Sequence, residues 1–164
     1  MFYGTSEQRE KAVQERAEAY RAAADLFPIV RKTAEEFDGK MFNCRFEKAL
    51  QEKYRRIFVT RRYEYIEITA YPGTKGNTLI TLVHLNQSDL IDGKRVPGKL
   101  IIERAREKRE ELLKAAAKME HDAADAEEKR RQLDYLKNQI DSIRDSICYE
   151  IQDLYGLGYS VHTC

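Results

Sequence analysis

The segment IFVTRRYEYIEITAYPGTKGNTLITLVHL, residues 57–85, is where the chain leaves helical periodicity. Ile57–Thr60 is a short run of β-branched and aromatic residues, the composition of a strand. The alternation changes phase at Arg61-Arg62. Beyond it Tyr63, Tyr65, Glu67, Thr69 and Tyr71 alternate with Ile66, Ile68 and Ala70. Strand side chains repeat every two residues, so a change of phase marks a turn or bulge, and a second strand runs from 63 to 71. PGTKGN (72–77) has turn composition, and Thr78–Leu85 supplies a third strand. The expectation is a three-stranded antiparallel meander with Ile66, Ile68, Ile80 and Leu82 on its inner face. So small a sheet needs covering helices to be stable.

Those helices flank the sheet. In residues 5–37, Thr5 or Ser6 caps the start, and Val13, Ala17, Tyr20, Ala24 and Phe27 form one apolar stripe. Pro28 has no backbone N–H, so the helix ends or kinks at Phe27. Ile29–Phe37 then forms a second piece, with Ile29, Val30, Ala34 and Phe37 buried and Asp38-Gly39 as its stop. Residues 41–54 read as a short helix capped by Asn43, with Phe46, Ala49 and Leu50 on its apolar side. Residues 86–98 read as a loop.

From Lys99 to Tyr155 there is neither Pro nor Gly. This stretch is either one helix or a hairpin turning within MEHDAADAEEKRR (119–131). Propensity favours continuity. The hairpin is the preferred reading, because it brings Leu112 and Leu113 to Leu133 and Leu136. Leu133, Leu136, Ile140, Ile143 and Ile147 follow heptad spacing, continued by Ile151 and Leu154. Gly156 ends the helix. The expected fold is α+β: a small three-stranded antiparallel sheet packed by short helices, with N-terminal helices (1–38), a helix and meander (39–98) and a long helical or coiled-coil arm (99–164), in a single unit overall.

The composition sets limits. Of 164 residues, 42% are hydrophobic, which argues against wholesale disorder, and 35% are charged, which suits long solvated helices. The net charge of +1 argues against both a uniformly basic nucleic-acid coat and an acidic DNA mimic. No apolar run approaches the ~20 residues of a membrane span, and the N-terminus lacks a signal-peptide core. An odd set of cysteines (Cys44, Cys148, Cys164) fits a reducing cytosol. The near-zero total hides segregation. Residues 41–62 hold seven basic and two acidic residues, 93–119 nine and four, and 120–164 five and ten. Glu120, Asp122, Asp125, Glu127 and Glu128 form an acidic run without an intervening Lys or Arg. Such blocks either neutralise each other or dock a charged partner.

Motifs for catalysis are weak. Cys44 and His84 are a nucleophile and a base only if the fold joins them, and the expectation is a buried thiol and a strand histidine. His162 and Cys164, or His121 beside Asp122, lack the paired spacing of a metal site. PGTKG lacks phosphate-loop spacing. No cofactor is expected.

The constellation suited to binding is KYRRIFVTRRYEY (53–65), in which Lys53, Arg55, Arg56, Arg61 and Arg62 surround Tyr54, Tyr63 and Tyr65. Lys94, Arg95 and Lys99 are expected at the same end. Arg forks onto phosphate, and Tyr stacks on bases or anchors a protein interface. The bland alternative is a solvated strand edge whose charges deter aggregation. The seam at 133–154 serves either a homodimer or packing within the chain against the 5–37 stripe.

The segments FDGKMFNCRFEKAL (37–50), VPGKLIIERAREKREELL (96–113) and ICYEIQDLYG (147–156) resemble small accessory proteins of Gram-positive phages and conjugative elements. Helices around a small antiparallel sheet are also similar to some anti-CRISPR proteins. The resemblance implies a cytoplasmic, non-enzymatic binding protein with no membrane partner. Its most specific version inhibits a nucleic-acid-targeting defence nuclease, such as a CRISPR effector, through the basic face or the acidic run. The alternative is direct DNA or RNA binding through the Arg/Tyr face. The resemblance carries over no site residues.

Overall fold

The computed structural model describes residues 5–73 and 78–156, with the backbone alone for 153–156. Thr74–Asn77 of the expected PGTKGN turn lie outside the described residues, as do His162, Cys164 and the tail from residue 157. The chain divides into two units, Met1–His121 and Asp122–Cys164.

The first unit is α+β. Helix α1 (Ser6–Ala24) starts with a capping box, in which the Gln8 N–H donates to Thr5 Oγ1 and the Thr5 N–H donates to Gln8 Oε1. It stops at Ala24, before the point expected from Pro28. Leu26 is the N-cap of α2 (Phe27–Phe37), and the proline occupies that helix's first turn, where a missing N–H costs no bond. Val30, Thr33 and Ala34 are buried, while Ile29 and Phe37 are half-buried. Gly39 follows with φ +74°, the left-handed geometry that ends a helix cheaply only in glycine. Helix α3 (Cys44–Lys53) is capped by Asn43, whose side chain accepts the Arg45 N–H.

Strands β1 (Ile57–Arg61), β2 (Tyr65–Ala70) and β3 (Ile80–Asn86) form the antiparallel meander in the order β1-β2-β3. The phase change at Arg61-Arg62 is a turn, closed by the Arg62 N–H on the Tyr65 carbonyl. Ile66, Ile68, Ile80 and Leu82 are all buried, as expected of the inner face. One feature of the register escapes the alternation rule. Ile68 pairs with Val83 but Thr69 pairs with Thr81, so Leu82 is an extra residue. This bulge lets neighbouring residues share a face. Leu82 and Val83 are both buried, and Leu85 joins them.

Segment 86–98 is more than a loop. The Gly39 N–H donates to the Val96 carbonyl, the Val96 N–H to Lys40, and the Phe42 N–H to Lys94. This short ladder lies outside the sheet and ties 39–42 to 94–96. Beyond it α4 runs unbroken from Gly98 to Gly156, 59 residues. The expected hairpin is therefore corrected to one helix. Residues 119–131 are mostly Ala, Glu, Lys and Arg, all strong helix formers, and an i,i+4 bond from Arg131 Nη2 to Glu127 Oε1 (2.7 Å) supports them. Leu112 does not meet Leu133. It lines a small apolar cleft with Ala23, Phe27, Val30, Leu82 and Ala105. Ile101, Ala105, Leu112 and Ala116 are the buried stripe of α4 in this unit.

Asp89 ties the end of β3 to α4. Its Oδ2 accepts from Arg104 Nη1 (2.7 Å) and from the Asn86 N–H (2.8 Å), and Arg104 also donates to the His84 carbonyl. The Arg104 hydrogen bond first, then that of Asn86, holds this carboxyl below the usual range. A depressed carboxylate contributes stability that is fully present above its unfolded value, about 4, and is lost as pH falls through the folded value. Asp89→Asn is therefore expected to be less stable than wild type at neutral pH, with the gap narrowing as acid takes the pH down through the folded value. Urea unfolding of both proteins at neutral and acid pH checks this; a gap of constant size refutes it.

In the second unit, α4 carries its polar contacts along the helix: Glu127 with Arg131, Glu128 with Gln132, Tyr135 with Gln139, and Asp141 with Arg144. No helix among the described residues is long and apolar enough to cross a membrane.

Candidate basic interface

The 53–65 constellation does not form one patch. Arg56 and Arg61 stand at opposite ends of β1, about 16 Å apart at roughly 3.3 Å per residue. At the first end most groups are engaged within the fold. Lys53 Nζ donates to Thr33 Oγ1 (2.9 Å) and to Glu36 (3.1 Å), tying α3 to α2. Tyr54 donates its hydroxyl to the Tyr71 carbonyl. Arg56 Nη1 donates to the Gly73 carbonyl, and its guanidinium lies 5.2 Å from the centre of the Tyr71 ring. Arg55 is exposed.

The other end is the more open one. Arg61 is partly structural: Nη2 donates to the Phe42 carbonyl (2.9 Å) and its guanidinium stacks 4.7 Å from the Phe42 ring centre. Next to it, in the β1–β2 turn, Arg62 is exposed and Tyr63 is 95% exposed. Tyr65 instead belongs to the outer face of the sheet, where it stacks on His84 (5.3 Å between ring centroids), and His84 Nδ1 lies 3.2 Å from Glu67.

The ladder carries Lys94 and Arg95 to this end, since the Lys94 carbonyl holds Phe42, the residue beneath Arg61. It also adds Lys40 and Arg45, which the sequence reading missed. Lys40, Arg45 and Arg95, with Asn43, Gly39, Phe37 and Met41, line an open depression of about 680 Å³. Lys40 Nζ sits 5.5 Å from the Phe37 ring centre. Among the described residues, the side chains of Arg45, Arg62, Lys94 and Arg95 meet no carboxylate. Lys99 is exposed one residue beyond Gly98 and is not among the residues that line the depression.

Comparison with protein-family models, curated proteins and solved structures found no match.

The acidic run is engaged rather than presented as one block. Glu120 takes a two-pronged bond from Arg21, Nε to Oε1 at 2.9 Å and Nη2 to Oε2 at 2.7 Å. The guanidinium, chiefly through its hydrogen bonds, holds the Glu120 carboxyl below its ordinary value and raises Arg21 in turn. Asp122 and Asp125 also make contacts, and Glu127 and Glu128 bond to helix neighbours.

Cys44 is exposed at the first residue of α3, which corrects the expected buried thiol. His84 lies on the outer face with Tyr65 and Glu67. No group of three or more His, Cys, Asp or Glu among the described residues is placed to hold a metal ion. Chemically, the open end of β1 offers cations that meet no carboxylate among the described residues, an exposed tyrosine and an open depression. These are the means to hold a phosphate backbone or an acidic protein surface.

Proposed function

We propose that this chain is a non-enzymatic, cytoplasmic binding protein. In its most specific form it inhibits a bacterial nucleic-acid-targeting nuclease by covering a nucleic-acid-binding or regulatory surface. The observation supporting this reading is that Arg45 and Arg95 line one open depression and, with Arg62 and Lys94 on segments tied to it through Phe42, meet no carboxylate among the described residues, while Tyr63 in the β1–β2 turn is exposed. Arg and Tyr dominate the energetics of protein interfaces, and cations without an internal partner reach an acidic surface without first breaking a bond.

The test is target cleavage by a panel of effector nucleases, with and without the protein. Inhibition of at least one effector is expected, and Arg62→Glu with Arg95→Glu should weaken it by about tenfold or more, roughly 1.4 kcal/mol. Both side chains are exposed, so the double variant should melt with the wild type. Arg61 is left intact because its bond to Phe42 supports the fold. Unimpaired cleavage across the panel overturns the reading.

Direct nucleic-acid binding is the second reading, favoured by Tyr63 standing beside Arg62, an arrangement able to stack on a base while the guanidinium holds the adjoining phosphate. It predicts retardation of a labelled single strand, weakening steeply as salt rises.

A further inference from the structure

The seam of α4 is left bare on the surface of the second unit. Taking Leu133 as heptad position a, Leu133, Ile140 and Ile147 fall at a, and Leu136 and Ile143 fall at d. In chain order these five side chains are 66%, 51%, 65%, 61% and 50% exposed. The side-chain bonds of this stretch lie elsewhere on the helix: Glu127 and Arg131 are at b and f, Tyr135 and Gln139 at c and g, Asp141 and Arg144 at b and e. A helix cannot bury its own stripe, and a contiguous row of large aliphatic residues in water is the driving force for a coiled coil.

Charge selects the occupant. Residues 129–138 carry Lys129, Arg130, Arg131 and Lys137 against Asp134, a net +3. Residues 141–153 carry Asp141, Asp145, Glu150 and Asp153 against Arg144, a net −3. Leu136 and Ile147, and likewise Ile140 and Ile143, lie symmetrically about the Asp141–Ser142 peptide bond. A second copy running antiparallel about that point lays each basic half on the partner's acidic half. Position a then faces d, so Leu136 meets the second copy's Ile147 and Ile140 meets its Ile143. The next layer sets Leu133, at a, against Glu150, at d. A parallel copy would instead oppose Lys129 to Lys129 and Glu150 to Glu150 at d positions. The antiparallel cost is Lys137 near Arg144 on the rim, where solvent screens the repulsion.

We infer that residues 132–151 form an antiparallel two-stranded coiled coil with a second copy of this chain. The inference is independent of what the basic interface binds.

The test uses the full chain with Cys44, Cys148 and Cys164 replaced by Ser. Light scattering is expected to give twice the chain mass of 19.2 kDa, and Ile140→Asp with Ile143→Asp should return it to that single-chain value. The thermal transition of the first unit should persist in that variant, since neither residue belongs to the buried core. Orientation is read from two single-cysteine proteins, Leu136→Cys and Ile147→Cys. Oxidation should cross-link them only when mixed. A wild-type mass of 19.2 kDa at high concentration, or cross-linking of each cysteine protein by itself, overturns the inference.

Discussion

Alanine in place of Phe46 is expected to lower the free energy of unfolding by about 3–5 kcal/mol, the usual cost of emptying a buried aromatic position. Phe46 is fully buried on α3. Its ring meets Phe37 edge-on at 5.7 Å and Phe42 at 5.1 Å. The three rings join α2, the 39–42 ladder and α3. Phe42 in turn is the platform on which Arg61 rests. The damage therefore reaches the candidate interface as well as the core. Denaturant unfolding at an unchanged slope measures the loss. A loss below about 1 kcal/mol would mean that the neighbouring rings close the cavity, and that the packing is looser than the structure shows.

Gly98→Ala should have the next largest effect. A Cβ at this position would lie 2.7 Å from the Ala34 carbonyl oxygen and 2.8 Å from both Cβ and Oδ1 of Asp38. Ala34 O is helix backbone and cannot rotate away. The Gly98 N–H also donates to Asp38 Oδ1 at 2.9 Å, a bond that any separation of the two segments would stretch. Overpacking costs about 1–3 kcal/mol and a lost hydrogen bond about 1 kcal/mol more. For a chain of this size a total near 3 kcal/mol is a fall in Tm of roughly 6–12 °C. The φ of Gly98 is not in the left-handed range, so the effect is one of contact and not of backbone strain. A melting temperature within about 2 °C of wild type would show that α2 and α4 separate at little cost.

The elements that the sequence announced are those with local punctuation. Pro28, the Asp38-Gly39 stop and the Asn43 cap each act within a turn of where they stand, and the alternation of 63–71 makes β2 visible without its partners. What stayed hidden depends on distant partners. The bulge at Leu82 is invisible because ITLVHL reads as one apolar run whichever residue is extra. The continuity of α4 was misjudged because an apolar seam argues for burial, and a heptad does not say whether its cover lies in the same chain or another. At the candidate interface, charge was legible and geometry was not. Composition shows that Lys53, Arg56 and Arg61 are basic, but not that Thr33, Gly73 and Phe42 supply acceptors for them. Lys40 and Arg45 went unnoticed because the ladder placing them near Arg95 joins segments some fifty residues apart.

The extra residue in β3 bears on how the gene tolerates length change. Loss of a codon elsewhere in a paired strand turns every downstream side chain to the wrong face. Loss of the Leu82 codon does not: Thr81, Val83, His84 and Leu85 would then alternate as β2 requires, and only one leucine's packing is forfeited. In-frame deletion at this bulge should consequently be gentler than deletion within β1, whose pairing with β2 has no residue to spare, a rare place in a buried strand where evolution can shorten the chain without rewriting the rest.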